Sequence, residues 1–470
     1  MQPSDKSTSL PQIVLKPRKA LPFFSRHPWV FQGAVDWLVG EPQPGDVVDV
    51  IDDVERFVAR GLFNPQSQIC VRLYSWDETV SLDEAFWSQR LDDAIALRRG
   101  LFSHVRGQAL RNSELAGEGL AQNWLSLRPI PNSEVPDPGL SFAPDSACRL
   151  VFSEADGLSG LIVDRYGDWL LVQVTSLALS KRLDLIVSLL QAKLQPRGIW
   201  LRTEKGIREA EGLELTDGLL WGEAPPRPLV IRENGVQFSL DVAEGQKTGF
   251  FLDQRDNRRR VADFVRAATG GCFGLPPGTG NEINDPTHPS SASVSHRVLD
   301  VCCYSGGFAL NCLVNGGASH VTGVDMSESA LALARSNAEL NGVADRLTLV
   351  KRDCFKALEE FAAAGERFDT VILDPPKLAR HRQGVEAALR GYYSLNRSAI
   401  SLLKPGGLLV TCSCSGHVSH EMFLDALANA ALHENRRLQI LEARGAAADH
   451  PTSVTCLETD YLKCYLCRVV

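Results

Sequence analysis

The sequence predicts an α/β protein in which a doubly wound sheet follows two smaller folded parts. Strand-like and helix-like segments alternate in residues 251–470, which is typical of a doubly wound α/β sheet. Short apolar runs separated by Gly, Pro and Asp fill residues 11–88, which indicates a small β domain. Residues 89–250 combine a helical pattern, an irregular loop and a hairpin pattern, so they predict a connector helix and a small central α+β domain.

Length and composition fit several domains and no membrane segment. The 470 residues exceed one ordinary domain, and 44% hydrophobic with 23% charged residues is a globular composition. A net charge of −8 argues against nucleic-acid binding through a uniformly positive surface. The sequence shows no signal-peptide core and no apolar run of about 20 residues. We therefore expect a cytoplasmic protein with reduced cysteines and no membrane contact.

Each element before residue 251 has its own pattern. The runs "GDVVDVID" and "RFVARGLF" are typical of short strands. The segment "SLDEAFWSQRLDDAIALRRGLF" predicts the connector helix, because its apolar residues have helical spacing and acidic residues precede basic ones. Residues 107–145 end in a Pro-rich stretch and are expected to form a loop. "RLVFSEADGLSGLIVDRYGDWLLVQV" then predicts a hairpin, and "SKRLDLIVSLLQAKL" a helix.

The C-terminal part is interrupted once and then becomes regular. Residues 270–296 are rich in Gly, Pro and Ser, so they are expected to be a disordered surface insertion. The helix pattern "ESALALARSNAELNG" has Ser327 as its expected N-cap and Gly342 as its expected end. These two residues put the end of the preceding strand near Asp325.

The block "VLDVCCYSGGFAL", residues 298–310, predicts a ligand site. An apolar strand ends there in a Gly-Gly turn that opens a helix, and glycines let the backbone approach a ligand closely. The turn lacks the G-x-G-x-x-G spacing of pyrophosphate sites, whereas acidic residues follow at the ends of later strands. Carboxylates without a phosphate cradle point to S-adenosylmethionine. The candidate cofactor residues are Asp300, Tyr304, Ser305, Gly306, Gly307, Phe308, Asp325, Asp353 and Asp374.

One such turn or one strand-end acid is more often structural than functional. The order and spacing of all of them together favour the cofactor interpretation.

The segment "FDTVILDPPK" carries the first candidate catalytic residues. A buried strand runs into Asp374, and the two prolines after it stiffen the exit and hold the acid towards the crevice. A plain strand terminator is the alternative. Asp/Asn-Pro-Pro-aromatic motifs bind amino groups in nitrogen methyltransferases, but Lys377 replaces the aromatic residue here. Asp374 and Lys377 are retained as candidate catalytic residues.

The stretch "TCSCSG" supplies two cysteines of different expected character. Cys412 continues an apolar strand and is expected to be buried, whereas Cys414 follows the strand end, where a thiolate can act as a nucleophile. A C-x-C pair without a second pair or a nearby His is a weak zinc signal, and a redox pair is weaker still. No metal is therefore predicted. A thiolate that adds to carbon 6 of cytosine would activate carbon 5 for methylation.

Several of these motifs together resemble one protein family. "GQKTGFFLDQRDNR", "YSGGFAL", "LDPPK", "CSG" and "AADHPTSVTCLETDYLKCYLCRV" resemble the bacterial ribosomal RNA large subunit methyltransferase I family. The resemblance implies an N-terminal PUA-like domain, a Rossmann-like class I methyltransferase domain, S-adenosylmethionine as cofactor, and formation of 5-methylcytosine in 23S ribosomal RNA. It also implies that Cys414 is the catalytic cysteine. Members of the family often pair, so a homodimer is an open expectation.

Basic residues near aromatic ones fit an RNA partner. The stretch "KPRKALPFFSRHPWVF" places four cations beside Phe23, Phe24 and Trp29, as a surface that contacts phosphates and stacks bases would. A second basic stretch, "RDNRRR", precedes the cofactor block. A basic stretch of this kind is more often a solvent-exposed surface without a ligand. The candidate RNA-binding residues are Lys16, Arg18, Lys19, Arg26, Arg255 and Arg258.

Three functions remain open at this point. The leading one is an RNA cytosine carbon-5 methyltransferase. The second is a methyltransferase that acts on guanine or another nitrogen through the Asp-Pro-Pro turn. The third is a ribosome-assembly factor that binds RNA without turnover, although the intact glycine turn and carboxylates count against it.

Overall fold

The computed structural model describes residues 10–115, 142, 146–242, 249–270, 295–379 and 381–470. Most of the predicted loop 107–145 and of the predicted insertion 270–296 lies outside these residues. None of the described helices is both long and apolar enough to cross a membrane.

Six strands form the N-terminal sheet, in the order β2-β6-β5-β4-β1-β3. Their buried faces follow strand alternation: in the fourth strand Val48 and Val50 are buried, and Asp49 between them points outward to pair with Arg60. The small β domain is confirmed. Its elements are β1 (Gln12–Leu15), α1 (Leu21–Phe24), β2 (Trp29–Phe31), β3 (Val35–Val39), β4 (Val47–Ile51), β5 (Phe57–Phe63) and β6 (Ile69–Ser75).

The connector helix α2 (Glu84–Leu115) is longer than the sequence predicted. It buries Trp87, Leu91 and Arg98 on one face. The prediction of an irregular chain from residue 107 is wrong as far as residue 115. That part of the chain is free of proline and rich in good helix formers, so nothing stops the helix there.

The central part contains a five-stranded sheet in the order β11-β10-β9-β8-β7 and a separate hairpin. The antiparallel β7, β8 and β9 confirm the predicted hairpin pattern, and α4 confirms the predicted helix. The elements are β7 (Ala147–Phe152), β8 (Leu161–Tyr166), β9 (Trp169–Val174), α3 (Leu177–Ser180), α4 (Leu183–Leu194), β10 (Gly198–Arg202), α5 (Lys205–Glu211), β11 (Gly218–Gly222), β12 (Leu229–Glu233) and β13 (Val236–Leu240).

The C-terminal sheet has seven strands in the order β16-β15-β14-β17-β18-β20-β19. The first five run parallel to one another, β20 runs antiparallel to β18, and β19 runs antiparallel to β20. The elements are α6 (Arg255–Thr269), β14 (Arg297–Val301), α7 (Gly307–Val314), β15 (His320–Asp325), α8 (Glu328–Leu340), β16 (Leu347–Lys351), α9 (Cys354–Ala363), β17 (Phe368–Leu373), α10 (Val385–Leu402), β18 (Leu403–Ser413), α11 (His420–His433), β19 (Leu438–Arg444) and β20 (Lys463–Val469).

Helices cover both faces of this sheet, so the predicted α/β class is confirmed. One apolar core includes Val265 of α6 and Phe308 of α7, and the other includes Tyr392 of α10 and Phe423 of α11. Ser327 caps α8 as predicted, since its hydroxyl accepts from the Ala330 N–H at 3.2 Å. The helix ends at Leu340, and Gly342 follows with φ +67°.

A buried aspartate joins the connector helix, the central part and the C-terminal part of the chain. Asp449, 0% exposed, accepts from both terminal nitrogens of Arg255 at 2.9 Å and from the Arg149 N–H at 3.0 Å. Its carbonyl accepts from Arg98 of α2 at 2.9 Å. Burial by itself would raise the pKa of Asp449, but Arg255 and His450 lower it well below the usual range.

Candidate active site

The candidate residues gather where parallel strands end. Strands β14, β17 and β18 are neighbours, and the N–H of Asp374 bonds to the carbonyl of Val301 at 3.3 Å across the first two. The Asp374 turn, the glycine turn and Cys414 therefore share one edge of the sheet. This edge is where open α/β sheets bind ligands.

The turn after β14 has an unusual backbone. Cys302, Tyr304 and Gly306 have φ of +65°, +48° and +82°, so every second residue is left-handed. Glycine accepts this region freely, whereas Cys302 and Tyr304 adopt it at a cost of roughly 1–3 kcal/mol each. Asp325 offsets part of this cost, because its carboxylate accepts from the Tyr304 N–H at 3.0 Å.

Gly307 permits a close approach at the start of α7. A Cβ at this position would lie 3.0 Å from Cδ of Arg258. Ser305 and Phe308 are buried at 1% and 5% exposure, so we expect them to offer backbone groups to a ligand rather than side chains.

Two further acids lie at the ends of β15 and β16. Asp325 is half-buried, and its second oxygen accepts from the Ser327 N–H at 2.9 Å. Asp353 caps α9 by accepting from the N–H groups of Phe355 and Lys356 at 3.1 and 3.2 Å. Each carboxylate oxygen has a second lone pair, so the caps leave both acids able to accept from a ligand.

Asp300 is the most deeply buried acid of the site. One oxygen accepts from the Ala309 N–H at 3.0 Å, and the other, Oδ1, has no hydrogen-bond partner among the described residues. Burial raises the pKa of Asp300 to about 7, the Ala309 N–H opposes this rise, and Asp374 and Asp325 add to it. An orphaned acceptor beside two more acids suits a cationic ligand, and S-adenosylmethionine is one.

Replacing Asp300 by asparagine is expected to stabilise the ligand-free protein increasingly as pH rises. Because the pKa of Asp300 is about 7 in the folded protein and near 3.9 in the unfolded chain, the free energy of unfolding falls as the pH rises through this range. Asparagine does not ionise, so the stability of Asp300→Asn relative to wild type should rise by roughly 2–3 kcal/mol between pH 5 and pH 8. Thermal unfolding at both pH values measures this; an unchanged difference would contradict the burial argument.

Asp374 is oriented by an amide relay that sequence reasoning missed. Gln254 Nε2 donates to Asp374 Oδ1 at 3.1 Å, and Asn257 Nδ2 donates to Gln254 Oε1 at 2.7 Å. Both amides are buried. Their position in the quoted motif "GFFLDQRDNR" is the signal that could have found them. Lys377 is exposed after the two prolines.

The structure separates the two cysteines of "TCSCSG". Cys412 is 0% exposed and lies opposite Cys464 in β20, so its predicted burial is confirmed. Cys414 follows the end of β18, is half-buried, and has its Sγ 4.0 Å from the carbonyl oxygen of Pro375. The thiol therefore lies against the Asp374-Pro375 turn.

Polar groups that the sequence did not single out hold the chain around Cys414. The hydroxyls of Ser413 and Ser415 each lie 3.0 Å from the Tyr392 hydroxyl. Lys463 Nζ donates to the carbonyls of Ser415 and Val418 at 2.9 and 2.8 Å. In the sequence, the single lysine inside the apolar run "YLKCYLC" was the feature that could have indicated a buried role for Lys463.

Four of the six predicted RNA-binding cations are accessible. Lys16, Arg18, Lys19 and Arg26 are exposed on the N-terminal sheet. Phe24 is 47% exposed beside them. Their contact with RNA stays a prediction.

Two aromatic residues that were predicted to stack RNA bases beside these cations have other surroundings in the structure. The stacking role predicted for Phe23 is wrong, because its ring is only 4% exposed in the core of the sheet. Trp29 is half-buried, and its indole N–H donates to Glu154 at 2.9 Å.

The two remaining cations, Arg255 and Arg258, are corrected to structural roles. Arg258 is 3% exposed and forms a bidentate pair with Glu233 at 2.7 and 2.8 Å. Arg255 forms the bidentate pair with Asp449 described above, and its guanidinium lies 4.8 Å from the Phe102 ring centroid. Both guanidinium groups are used inside the protein, so neither is available to RNA.

One group of side chains in the described part of the chain could hold a metal ion. It consists of His27, Cys456 and Glu458. The N–H of Trp29 donates to Nδ1 of His27, which leaves the ring proton of neutral histidine on Nε2, the atom that lies 3.6 Å from Glu458. This tautomer does not suit a ligand, and the prediction of no metal stays a prediction.

Comparisons with known proteins support the folds of the N-terminal and C-terminal parts of the chain. The PUA-like domain family matches residues 13–76, and a methyltransferase domain family matches residues 292–449. A solved structure, SMU.776 in complex with SAH, aligns over 97% of this chain and 99% of its own with a TM-score of 0.73 and 18% identity. That likeness supports the fold. The methyltransferase domain implies S-adenosylmethionine as cofactor.

Curated relatives match almost the whole chain. The ribosomal RNA large subunit methyltransferase I of Erwinia tasmaniensis is 34% identical over 460 residues, which is 98% of this chain and 99% of the relative. The protein of the same name from Klebsiella pneumoniae is 34% identical over 461 residues, 98% of each. The chain therefore belongs to the ribosomal RNA large subunit methyltransferase I family.

Proposed function

We propose that this protein transfers a methyl group to carbon 5 of a cytosine in 23S ribosomal RNA, with Cys414 as the covalent nucleophile. The observation that carries the proposal is the position of the Cys414 thiol, which lies 4.0 Å from the Pro375 carbonyl and so beside Asp374. A nucleophile and a group that can hold the pyrimidine edge thus face the same crevice as the glycine turn.

The thiol supplies the activation that cytosine needs. Carbon 5 of cytosine is a weak nucleophile. When the Cys414 thiolate adds to carbon 6, the ring electrons move towards carbon 5, which then resembles an enamine carbon and can accept a methyl group. Bound S-adenosylmethionine supplies that methyl group as an electrophile. A base then takes the proton from carbon 5 and the thiolate leaves carbon 6, which restores the aromatic ring.

Asp374 is suited to hold the cytosine during this sequence. Its carboxylate can accept from the N4 amino group, and in its protonated form it can donate to N3, where negative charge develops as the thiolate adds. The amide relay through Gln254 fixes the orientation of Oδ1. A fixed acceptor needs no reorganisation when the base arrives.

The N-terminal sheet is suited to bind the RNA backbone. Lys16, Arg18, Lys19 and Arg26 form a local basic surface on a chain with a net charge of −8. Local charge of this kind attracts phosphate groups even when the average is negative. The target base must be unpaired or flipped out before the thiol can reach carbon 6.

The identity of the labelled nucleoside tests the proposal. The protein is incubated with methyl-labelled S-adenosylmethionine and 23S ribosomal RNA that lacks the modification, and the RNA is digested to nucleosides. We expect labelled 5-methylcytosine, and no label in fully modified RNA. Labelled methylguanosine would instead establish the nitrogen methyltransferase, and absence of label would favour the assembly factor.

A further inference from the structure

Lys463 is a buried cation that the proposed mechanism does not use. It is 2% exposed and opens β20, where it lies directly opposite Ser413 at the end of β18. Lysine is rarely buried to this extent unless its ammonium group is paired. A role in holding the chain at the end of β18 would account for the burial of Lys463.

The ammonium group closes the turn that follows Cys414. It donates to the carbonyl of Ser415 at 2.9 Å and to the carbonyl of Val418 at 2.8 Å. The Val418 N–H also bonds to the Ser415 carbonyl, at 3.1 Å. The backbone just after the thiol is therefore tied to the neighbouring strand at two points.

No carboxylate in the described part of the chain forms a salt bridge with Lys463, so its charge is compensated by two carbonyl dipoles and by the charge of Asp460, which makes no direct contact with it. Burial lowers the pKa of Lys463, whereas the nearby charges of Asp460 and Cys414 raise it and Lys377 lowers it. An unpaired buried cation is costly, and that cost falls when an anion forms beside it. The thiolate of Cys414 is such an anion.

The other titratable groups near Cys414 do not supply this positive charge. Tyr392 and Tyr461 both sense the charge of Cys414, and burial raises the pKa of each, so both are neutral near pH 7. Asp374 lies beyond Pro375 and is acidic. Lys377 is exposed, so solvent screens its charge.

We propose that Lys463 is the positioning residue of the nucleophile: it fixes the turn from Ser415 to Val418 and maintains a positive charge that favours the Cys414 thiolate. This inference rests on the proposed function, since it assumes that Cys414 is the reacting thiol. A plain structural clamp differs from this role, because a clamp would leave the ionisation of the thiol unchanged.

The pH dependence of Cys414 alkylation separates the two roles. Wild type, Lys463→Met and Lys463→Arg are treated with iodoacetamide from pH 6 to 10, and the modified Cys414 peptide is quantified by mass spectrometry. We expect the midpoint of Lys463→Met to rise by about one pH unit, which slows alkylation at pH 7 by about 10-fold. Lys463→Arg, which keeps the charge, should stay near wild type.

Lys404→Met is the matched control. Lys404 lies near the start of β18, the strand that ends just before Cys414, and pairs with Asp369 at 2.8 Å, so its loss removes one charge from the sheet far from the thiol. We expect no change in the alkylation midpoint. A shift equal to that of Lys463→Met would mean that net charge, not position, is responsible, and would overturn the proposal.

One further outcome decides the matter if Lys463→Met folds poorly, and two combined outcomes separate this proposal from the proposed function. The wild-type midpoint is expected to lie below the usual thiol value of about 8.5, and a value at or above it overturns the proposal without any variant. If Cys414→Ser still methylates RNA while the Lys463 shift is present, the proposed function fails and the pairing of Lys463 with the thiol stands. If Cys414→Ser is inactive and no shift occurs, only the role of Lys463 fails.

Discussion

Replacing Cys414 by serine is expected to lower the single-turnover rate of methyl transfer by at least roughly 10⁴-fold, the scale on which loss of an essential nucleophile acts. A serine hydroxyl is far less ionised than a thiol near pH 7, so it cannot add to carbon 6. Binding of the cofactor and of RNA should change little, because the rest of the crevice is unaltered.

Cys412→Ala is the control for this prediction. Cys412 lies two residues away, is fully buried, faces Cys464 and contacts Gln254 of the amide relay, so its loss should reduce packing and lower the rate far less than the loss of the Cys414 thiol. A Cys414→Ser protein that methylates at the rate of Cys412→Ala would exclude a covalent role for the thiol.

RNA that carries 5-fluorocytosine at the target gives a direct view of the same step. Fluorine cannot leave carbon 5 as a proton does, so the final elimination is blocked after methyl transfer. We expect wild-type protein to remain covalently joined to such RNA in a denaturing gel, and Cys414→Ser not to do so.

Replacing Glu233 by glutamine is expected to destabilise the protein by roughly 3–5 kcal/mol, because it leaves the Arg258 guanidinium buried without its anion. Glu233 and Arg258 are 4% and 3% exposed as side chains, and Arg258 also packs under Gly307 at the cofactor turn. Thermal unfolding reports the total loss, and hydrogen exchange in α6 reports whether it is local.

Glu366→Gln is the matched control, since Glu366 pairs with Arg297 at 2.8 Å with both side chains more than a third exposed. Surface pairs of this kind contribute less than about 1 kcal/mol. If Glu233→Gln lost no more than the control, the Arg258 pair would have to be solvated and free to contact other partners, including RNA.

The sequence predicted best those features that depend on near neighbours. The N-cap at Ser327, the strand end at Asp325 and the different burial of Cys412 and Cys414 all follow from patterns a few residues long, and the structure confirms each placement. The extension of α2 to Leu115 was not predicted, because the Pro-rich stretch further along the chain suggested an irregular segment although the residues up to 115 favour a helix.

Features that depend on distant partners could not be predicted in this way. "RDNRRR" is a cationic run in the sequence, and its Arg255 and Arg258 become internal because Asp449 and Glu233 meet them only in the folded chain. Phe23 shares a stretch with exposed residues, and the turn of α1 alone directs it into the core. The bonds from Lys463 to the turn after Cys414 likewise need the antiparallel pairing of β20 with β18.

The pairing of β18 with β20 also sets an order of events during synthesis. All strands of the N-terminal sheet lie within the first 75 residues, so that part can fold early, whereas Lys463 emerges from the ribosome well after Cys414. Until then the turn beside the thiol lacks its two bonds from Lys463. A nascent chain can thus form the surface proposed to bind RNA before the site proposed for catalysis is complete.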